Sequence, residues 1–391
     1  MIANRKQCCG CLACANICPT KCITIAYDEL GFVYPVVNVE KCINCNQCKS
    51  VCPCLSRKRS PKNNPNAYGG YSLDDQCRNN STSGGLFSEF AIRIIESGGI
   101  VFGAGFNDDM KTVHHIMVNN LEDLYKIRGS KYLQSDLGDT YSDVKKYLDN
   151  GVKVFFSGTP CQIEGLNFFL KGDYENLVTA EIICHGVPSP RLYQKYFEQK
   201  SLELGGTIKK VCFRAEAEGN SFKIRIETEE GKIYSKLSTE DSYYRLFMSN
   251  NVLRESCYRC CSKGLKKRAD ITLGDFWGVE KCTNNIADGK GVSLVLVHTK
   301  KGRELFNSIT DKVYIKKVEY SKAIEGNPAF LKSYKRPHLR KKIEKDISSM
   351  DMNQLVNKYC REPHAFSKKL LRKLGLFDTA KYLIKSICKY K

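Results

Sequence analysis

No run of apolar residues in this 391-residue chain is long enough to span a bilayer, which takes about 20 in succession. The opening residues, Met-Ile-Ala-Asn-Arg-Lys-Gln-Cys, lack the apolar core of a secretory signal. Both absences lead us to expect a cytoplasmic chain, in a compartment where thiols stay reduced. A G-x-G-x-x-G fingerprint following a strand is missing too, so a Rossmann-type nicotinamide site has no support. Nor does any internal repeat exceed a short cysteine motif that occurs twice. Core-forming residues are not scarce. Hydrophobic residues make up 42%, and the length allows two or three domains.

What the chain has in excess is cysteine. There are 21, eleven of them between Cys8 and Cys54. Spacings of two and three residues suit metal capture better than a disulfide framework in a chain of this size. The first motif is Cys8-x2-Cys11-x2-Cys14-x3-Cys18-Pro19, and the second is Cys42-x2-Cys45-x2-Cys48-x3-Cys52-Pro53. Both follow the bacterial two-cluster run, in which the fourth cysteine serves the other cluster. The expected sets are therefore Cys8, Cys11, Cys14 and Cys52 for one [4Fe–4S] cluster, and Cys42, Cys45, Cys48 and Cys18 for the other. Zinc sites use four ligands in two pairs and do not need two runs of four. Cys9, Cys22 and Cys54 are left over and read as small buried residues near the clusters.

Four later cysteines sit in suggestive places. Cys161 follows an apolar run in Ser157-Gly158-Thr159-Pro160-Cys161-Gln162. Cys184 ends another in Cys184-His185-Gly186, and Cys257 and Cys260 form a C-x2-C pair. Strand ends are where an α/β sheet gathers ligands. The four can complete a third thiolate site. Two other readings stay open: buried free cysteines, or zinc on Cys257, Cys260, Cys261 and His185.

The expected fold is α+β. A dicluster ferredoxin-like module (1–56) precedes a polar linker, Arg57 to Asn66. An α/β domain follows, in two parts (67–150 and 151–310), and then a basic, mainly helical region (311–391). Helices are expected over 86–97, 160–170 and 301–309. Strands are expected over 100–104, 152–156, 177–184 and 292–298, with antiparallel strands over 209–214, 222–228 and 232–234. The formal net charge is +20. From Asp311 onward 21 Lys and Arg face 8 Asp and Glu, which leaves +13 in that region. Such a field attracts acidic redox proteins, anionic substrates or anionic lipid. We do not expect nucleic acid. Leu370, Leu371, Leu374, Phe377, Leu383, Ile384 and Ile387 share a helical face among lysines. That face either packs on the protein's own core or makes peripheral membrane contact.

Taken in order, Ser81-Thr82-Ser83-Gly84-Gly85, Arg128-Gly129-Ser130-Lys131-Tyr132, Gly158-Thr159-Pro160-Cys161-Gln162, Cys184-His185-Gly186, Cys257-x2-Cys260 and Arg268-Ala269-Asp270-Ile271-Thr272-Leu273-Gly274-Asp275-Phe276-Trp277-Gly278 resemble the coenzyme F420 hydrogenase/dehydrogenase beta-subunit family. The match runs from about residue 67 to 310. One departure is Cys261-Ser262-Lys263, where the family has a small or apolar residue and then Phe. The resemblance implies an iron–sulfur flavoprotein oxidoreductase. It would carry electrons from ferredoxin or another redox partner, through a third cluster on Cys161, Cys184, Cys257 and Cys260, to FAD and an organic acceptor. Relatives include F420-reducing subunits, and some look associated with surface-polysaccharide synthesis, so the acceptor is small or lipid-linked. A non-catalytic electron-transfer subunit is the rival expectation. Ser81, Ser83, Gly84 and Gly85 open a helix, where free N–H groups favour a phosphate. With Arg128, Ser130, Lys131 and Thr159 they are the expected flavin residues. His185 is the one candidate for proton donation, with hydrogen bonding in the core as its alternative.

Overall fold

The structure, a computed structural model, describes residues 2–55, 65–218 and 221–360. Most of the linker and the whole 367–390 helical face lie outside these residues.

The cysteine-rich module carries one hairpin, β1 (Ile23–Tyr27) and β2 (Val33–Val37), paired antiparallel. Short helices Ala13–Asn16 and Gln47–Ser50 follow the first cysteines of each motif. The hairpin is not an isolated bead. Its Leu30, Phe32 and Tyr34 are buried in one core with Leu192, Tyr193, Tyr196, Phe213 and Tyr243 of the main body.

The main body is built on β3 (Asn66–Ser72), β4 (Ile100–Phe106), β5 (Val113–Val118), β6 (Val154–Gly158) and β7 (Leu177–Ile182). After these come β8 (Ile208–Glu218), β9 (Ser221–Thr228) and β10 (Ile233–Leu237), which form a separate antiparallel sheet. Then β11 (Ile271–Asp275), β12 (Ser293–Val297) and β13 (Val313–Val318) return to the large sheet. Its order is β13-β3-β12-β11-β7-β6-β4-β5. Strands β4, β6, β7 and β11 run parallel, and the flanking pairs are antiparallel. Parallel strands covered on both faces need near-continuous apolar runs, and β6 is buried from Val154 to Ser157.

The helix Pro160–Leu170 begins where the sequence predicts. Thr159 and Gln162 make a reciprocal capping box, and Pro160 sits at the tolerated first position. The region after 310 differs from its expectation in one respect. β13 is the outer strand of the large sheet, paired with β3 from Val313 opposite Ser72 to Val318 opposite Ala67. Its alternation of half-buried and exposed lysines hid it within a basic stretch.

Candidate functional site

The two cysteine motifs fold back on each other. Cys8, Cys11, Cys14 and Cys52 line one cavity, together with Ile2, Ala3, Cys9, Gly10, Leu12 and Pro35. Cys14 lies within electrostatic reach of Cys8, Cys52 and Cys48, and burial pushes its thiol up to about 12. The other set gathers around Cys18, with Cys42 and Cys48 packed against it. Cys48 is within electrostatic reach of Cys45 and Cys18, and Cys45 is exposed.

The first set is walled by the main body. Cys11 Sγ lies 3.0 Å from the point where a side chain on Gly165 would begin. Only glycine in the helix Pro160–Leu170 admits that approach. Arg254 is fully buried. It donates to Cys8 O (2.8 Å), Val33 O (2.7 Å) and Gln134 Oε1 (3.0 Å), and its guanidinium carbon lies 4.4 Å from the centre of the Tyr34 ring. Its Nη2 is 3.7 Å from Cys8 Sγ. Sequence reading missed this residue. A lone arginine three positions before a C-x2-C pair carries no signal of its own.

Cys11 is also within reach of Cys161. Cys161 follows β6 on the helix that Thr159 caps, and Cys184 follows β7. Cys257 lies in the turn Glu255–Arg259, and Cys260 closes it. These four thiols are within electrostatic reach of one another: Cys184 of Cys161, Cys257 of both, and Cys260 of Cys161 and Cys257. Burial pushes Cys184 up to about 11 and Cys257 up to about 12. Lys263 reaches back to donate to Cys184 O (2.8 Å) and Ala329 O (2.6 Å). The lysine that departs from the family pattern therefore sets a positive charge beside the thiol set.

His185 is not part of this group. Its Nε2 is hydrogen-bonded to Asn250 Oδ1 at 2.7 Å, and its ring stacks on Tyr334 at 4.1 Å. Burial lowers its pKa. A zinc site using His185 would have to take Nδ1, because Nε2 is already hydrogen-bonded. Among the described residues no group of three or more His, Cys, Asp or Glu is arranged for a single metal ion.

The same strand ends carry a cationic side. Asp275 ends β11 and accepts from Ser83 Oγ and from Arg214 Nη1 (2.5 Å). Lys131 donates to Lys126 O (3.0 Å) and Arg128 O (2.7 Å), and burial lowers its pKa to about 7. Ser130 hydrogen-bonds Tyr132. Arg128 Nε and Arg214 Nε are buried with no partner. Buried polar atoms are satisfied in well over nine cases in ten, and Arg78 Nε is a third guanidinium nitrogen left without a partner.

Packing alone already accounts for a glycine at position 84. Gly84 N–H already donates to Ser293 Oγ (2.9 Å), and a side chain there would begin 2.2 Å from Gly70 O. Gly84 is small so that the chain can cross β3 and β12. Gly85 takes a positive φ of 82° at the helix start. Ser81 Oγ donates to Cys77 O and contacts Ser88 Oγ, both at 2.6 Å. Thr159 is spent on its cap.

Cys161 and Cys184 follow the carboxyl ends of the parallel strands β6 and β7, and Asp275 ends β11 paired with Arg214. Residues 151–323 match the family model for the C terminus of the coenzyme F420 hydrogenase/dehydrogenase beta subunit. Curated proteins provide no match. Among solved structures, one similar chain comes from the F420-reducing [NiFe] hydrogenase complex of Methanosarcina barkeri. The identity is 19% and the TM-score 0.46, over 79% of this chain and 100% of that one.

Proposed function

We propose that this chain is an iron–sulfur and flavin electron-transfer subunit, working between a redox partner protein and an organic acceptor. One observation carries the reading. Cysteine thiols form a continuous row from the exposed Cys45, through Cys48 and Cys14, to Cys11, Cys161 and Cys184. Three sets of four along that row suit three [4Fe–4S] clusters: Cys18, Cys42, Cys45 and Cys48; Cys8, Cys11, Cys14 and Cys52; Cys161, Cys184, Cys257 and Cys260. Arg128, Lys131 and Arg214, with Ser130, suit the pyrophosphate of FAD, the first and last through their orphaned nitrogens. Bound there, cubanes and a flavin supply one-electron storage and its coupling to two-electron chemistry.

The protein's own groups do the rest. Arg254 and Lys263 hold fixed positive charge beside Cys8 and Cys184, which stabilises thiolates over thiols. The helix Pro160–Leu170 brings Cys11 and Cys161 close through Gly165. A deazaflavin is the acceptor class that the family description supplies.

Anaerobic reconstitution followed by iron, sulfide and flavin analysis tests the proposal. We expect about twelve irons, about twelve sulfides and one FAD per chain. Reduced ferredoxin should bleach the flavin in the intact protein and fail in Cys14→Ala. A zinc-loaded chain without sulfide would overturn the reading, and a colourless chain with full iron would overturn its flavin half.

A further inference from the structure

Nine cysteines lie outside the twelve, and the fold draws three of them, Cys9, Cys54 and Cys261, together. Cys54 Sγ and Cys261 Sγ are 3.3 Å apart although 207 residues separate them in sequence. The Cys9 thiol touches Cys54, Cys161 and Cys11. Cys54 follows the last cysteine of the second motif, and Cys261 follows the C-x2-C pair of the main body. Cys261 is exposed and Cys54 half-buried.

Contact distance decides what this pair can be. Thiolates on different irons of one cubane are held apart by the cube between them, whereas these two sulfurs touch. A disulfide bond is about 2.05 Å long, so a closing movement of roughly 1.3 Å joins them. We propose that Cys54 and Cys261 are a reversible dithiol–disulfide couple that fastens the cysteine-rich module to the main body. The oxidant is a low-molecular-weight disulfide. The exposed Cys261 thiolate attacks one of its sulfurs, the S–S bond breaks, and one thiolate leaves and takes up a proton. Cys54 then attacks the Cys261 sulfur of the mixed disulfide, and the second small thiol leaves in the same way. Two protein thiols are oxidised, and one small disulfide is reduced to two thiols.

Cys261 supplies the open end for the first attack. Cys54 is held against it by the module's packing, so the second step is intramolecular and fast relative to release of the mixed disulfide. Cys9 also touches Cys54 and is not required. The proposal rests on the placement of these thiols and stands whether or not the flavin assignment holds.

The experiment uses the full-length, cluster-loaded protein, purified anaerobically and exposed to a series of glutathione redox buffers. Remaining thiols are trapped with N-ethylmaleimide, the protein is digested, and linked peptides are identified by mass spectrometry while iron is counted in parallel. We expect a Cys54–Cys261 linked peptide and faster migration on a non-reducing gel. Iron content should stay unchanged, and dithiothreitol should reverse the link. Cys54→Ser and Cys261→Ser should each abolish it, and Cys9→Ser should leave it. Absence of the link at the most oxidising poise would overturn the proposal. So would a Cys9–Cys54 link in its place, or a link that appears only in step with iron loss. Loss of the flavin alone would count against the functional reading above and leave this one standing.

Discussion

The two cysteine cages of the N-terminal module share one spacing and have opposite surroundings. Around the first, Cys8, Cys11 and Cys14 are each no more than 9% exposed, and Arg254, Gln134 and the helix Pro160–Leu170 form the wall. Around the second, Cys45 is exposed, and its neighbours Val39 and Ile43 are 80% and 64% exposed. One motif thus produces an interior station and a surface station. Ligand spacing sets which cluster can form, and the residues that cover the ligands set what that cluster is for. Exposed apolar side chains beside an open cage suit a transient redox partner.

The sharpest way to break this comparison is to remove one ligand from each cage. Cys14→Ala should lose about four irons and also lower the melting temperature by roughly 10 °C. The first cage is part of the join between module and body, and several kcal/mol are worth 2–4 °C each in a domain of this size. Cys45→Ala should lose the same iron and leave the melting temperature within about 2 °C. Iron analysis beside differential scanning calorimetry reads both. Equal shifts would mean that the cages do not differ in structural role.

Arg254 is the next lever. Arg254→Met leaves Cys8 O, Val33 O and Gln134 Oε1 without their donor in a buried place, at a cost of about 3 kcal/mol in stability. It also removes the positive charge nearest Cys8 Sγ, so the first cluster should become harder to reduce while the second keeps its potential. Protein-film voltammetry separates the two waves. A parallel shift of both would assign Arg254 a global electrostatic role. A smaller effect is expected of Gly165→Ala, whose new methyl group meets Cys11 Sγ at 3.0 Å and Tyr141 Oη at 2.8 Å. We expect about 1–3 kcal/mol of destabilisation, with faster proteolytic release of the module and Cys45-side iron retained.

Legibility in the sequence followed the same division. The cysteine cages could be read because cluster chemistry fixes ligand spacing over a few residues. The helices at Leu86–Glu96 and Pro160–Leu170 were legible because their caps and stops are local. Arg254 was not legible, because its partners Cys8 and Gln134 come from 246 and 120 residues away. Arg214 stayed hidden inside a strand, and only its orphaned nitrogen and its pairing with Asp275 bring it into the site. Gly84 was ambiguous for a physical reason. Close approach of a phosphate and close approach of a neighbouring strand both demand glycine, and the sequence does not say which one is there.

Burial acts on Lys131 as it acts on the thiols, with the opposite sign. It lowers Lys131 from 10.5 to about 7, since an ammonium loses more hydration there than neighbouring groups restore. In the free protein the unfolded chain therefore binds one more proton between about pH 7 and 10.5. Stability should rise with pH across that window, so that the whole increment is gone once pH has fallen to about 7. An anion beside Lys131 reverses the preference, because a phosphate favours the ammonium. Binding of FAD at pH 8 should then take up a proton. Its dissociation constant should rise by up to about tenfold per pH unit above 7 until the bound-state pKa is reached. Lys131→Met should bind more weakly at pH 6.5 and show no such slope. Fluorescence titration of FAD from pH 6.5 to 9.5, with calorimetry in two buffers of different ionisation enthalpy, measures both the slope and the proton. A flat wild-type profile with no proton uptake would remove Lys131 from the phosphate site, and the orphaned Arg128 and Arg214 would carry the anion alone.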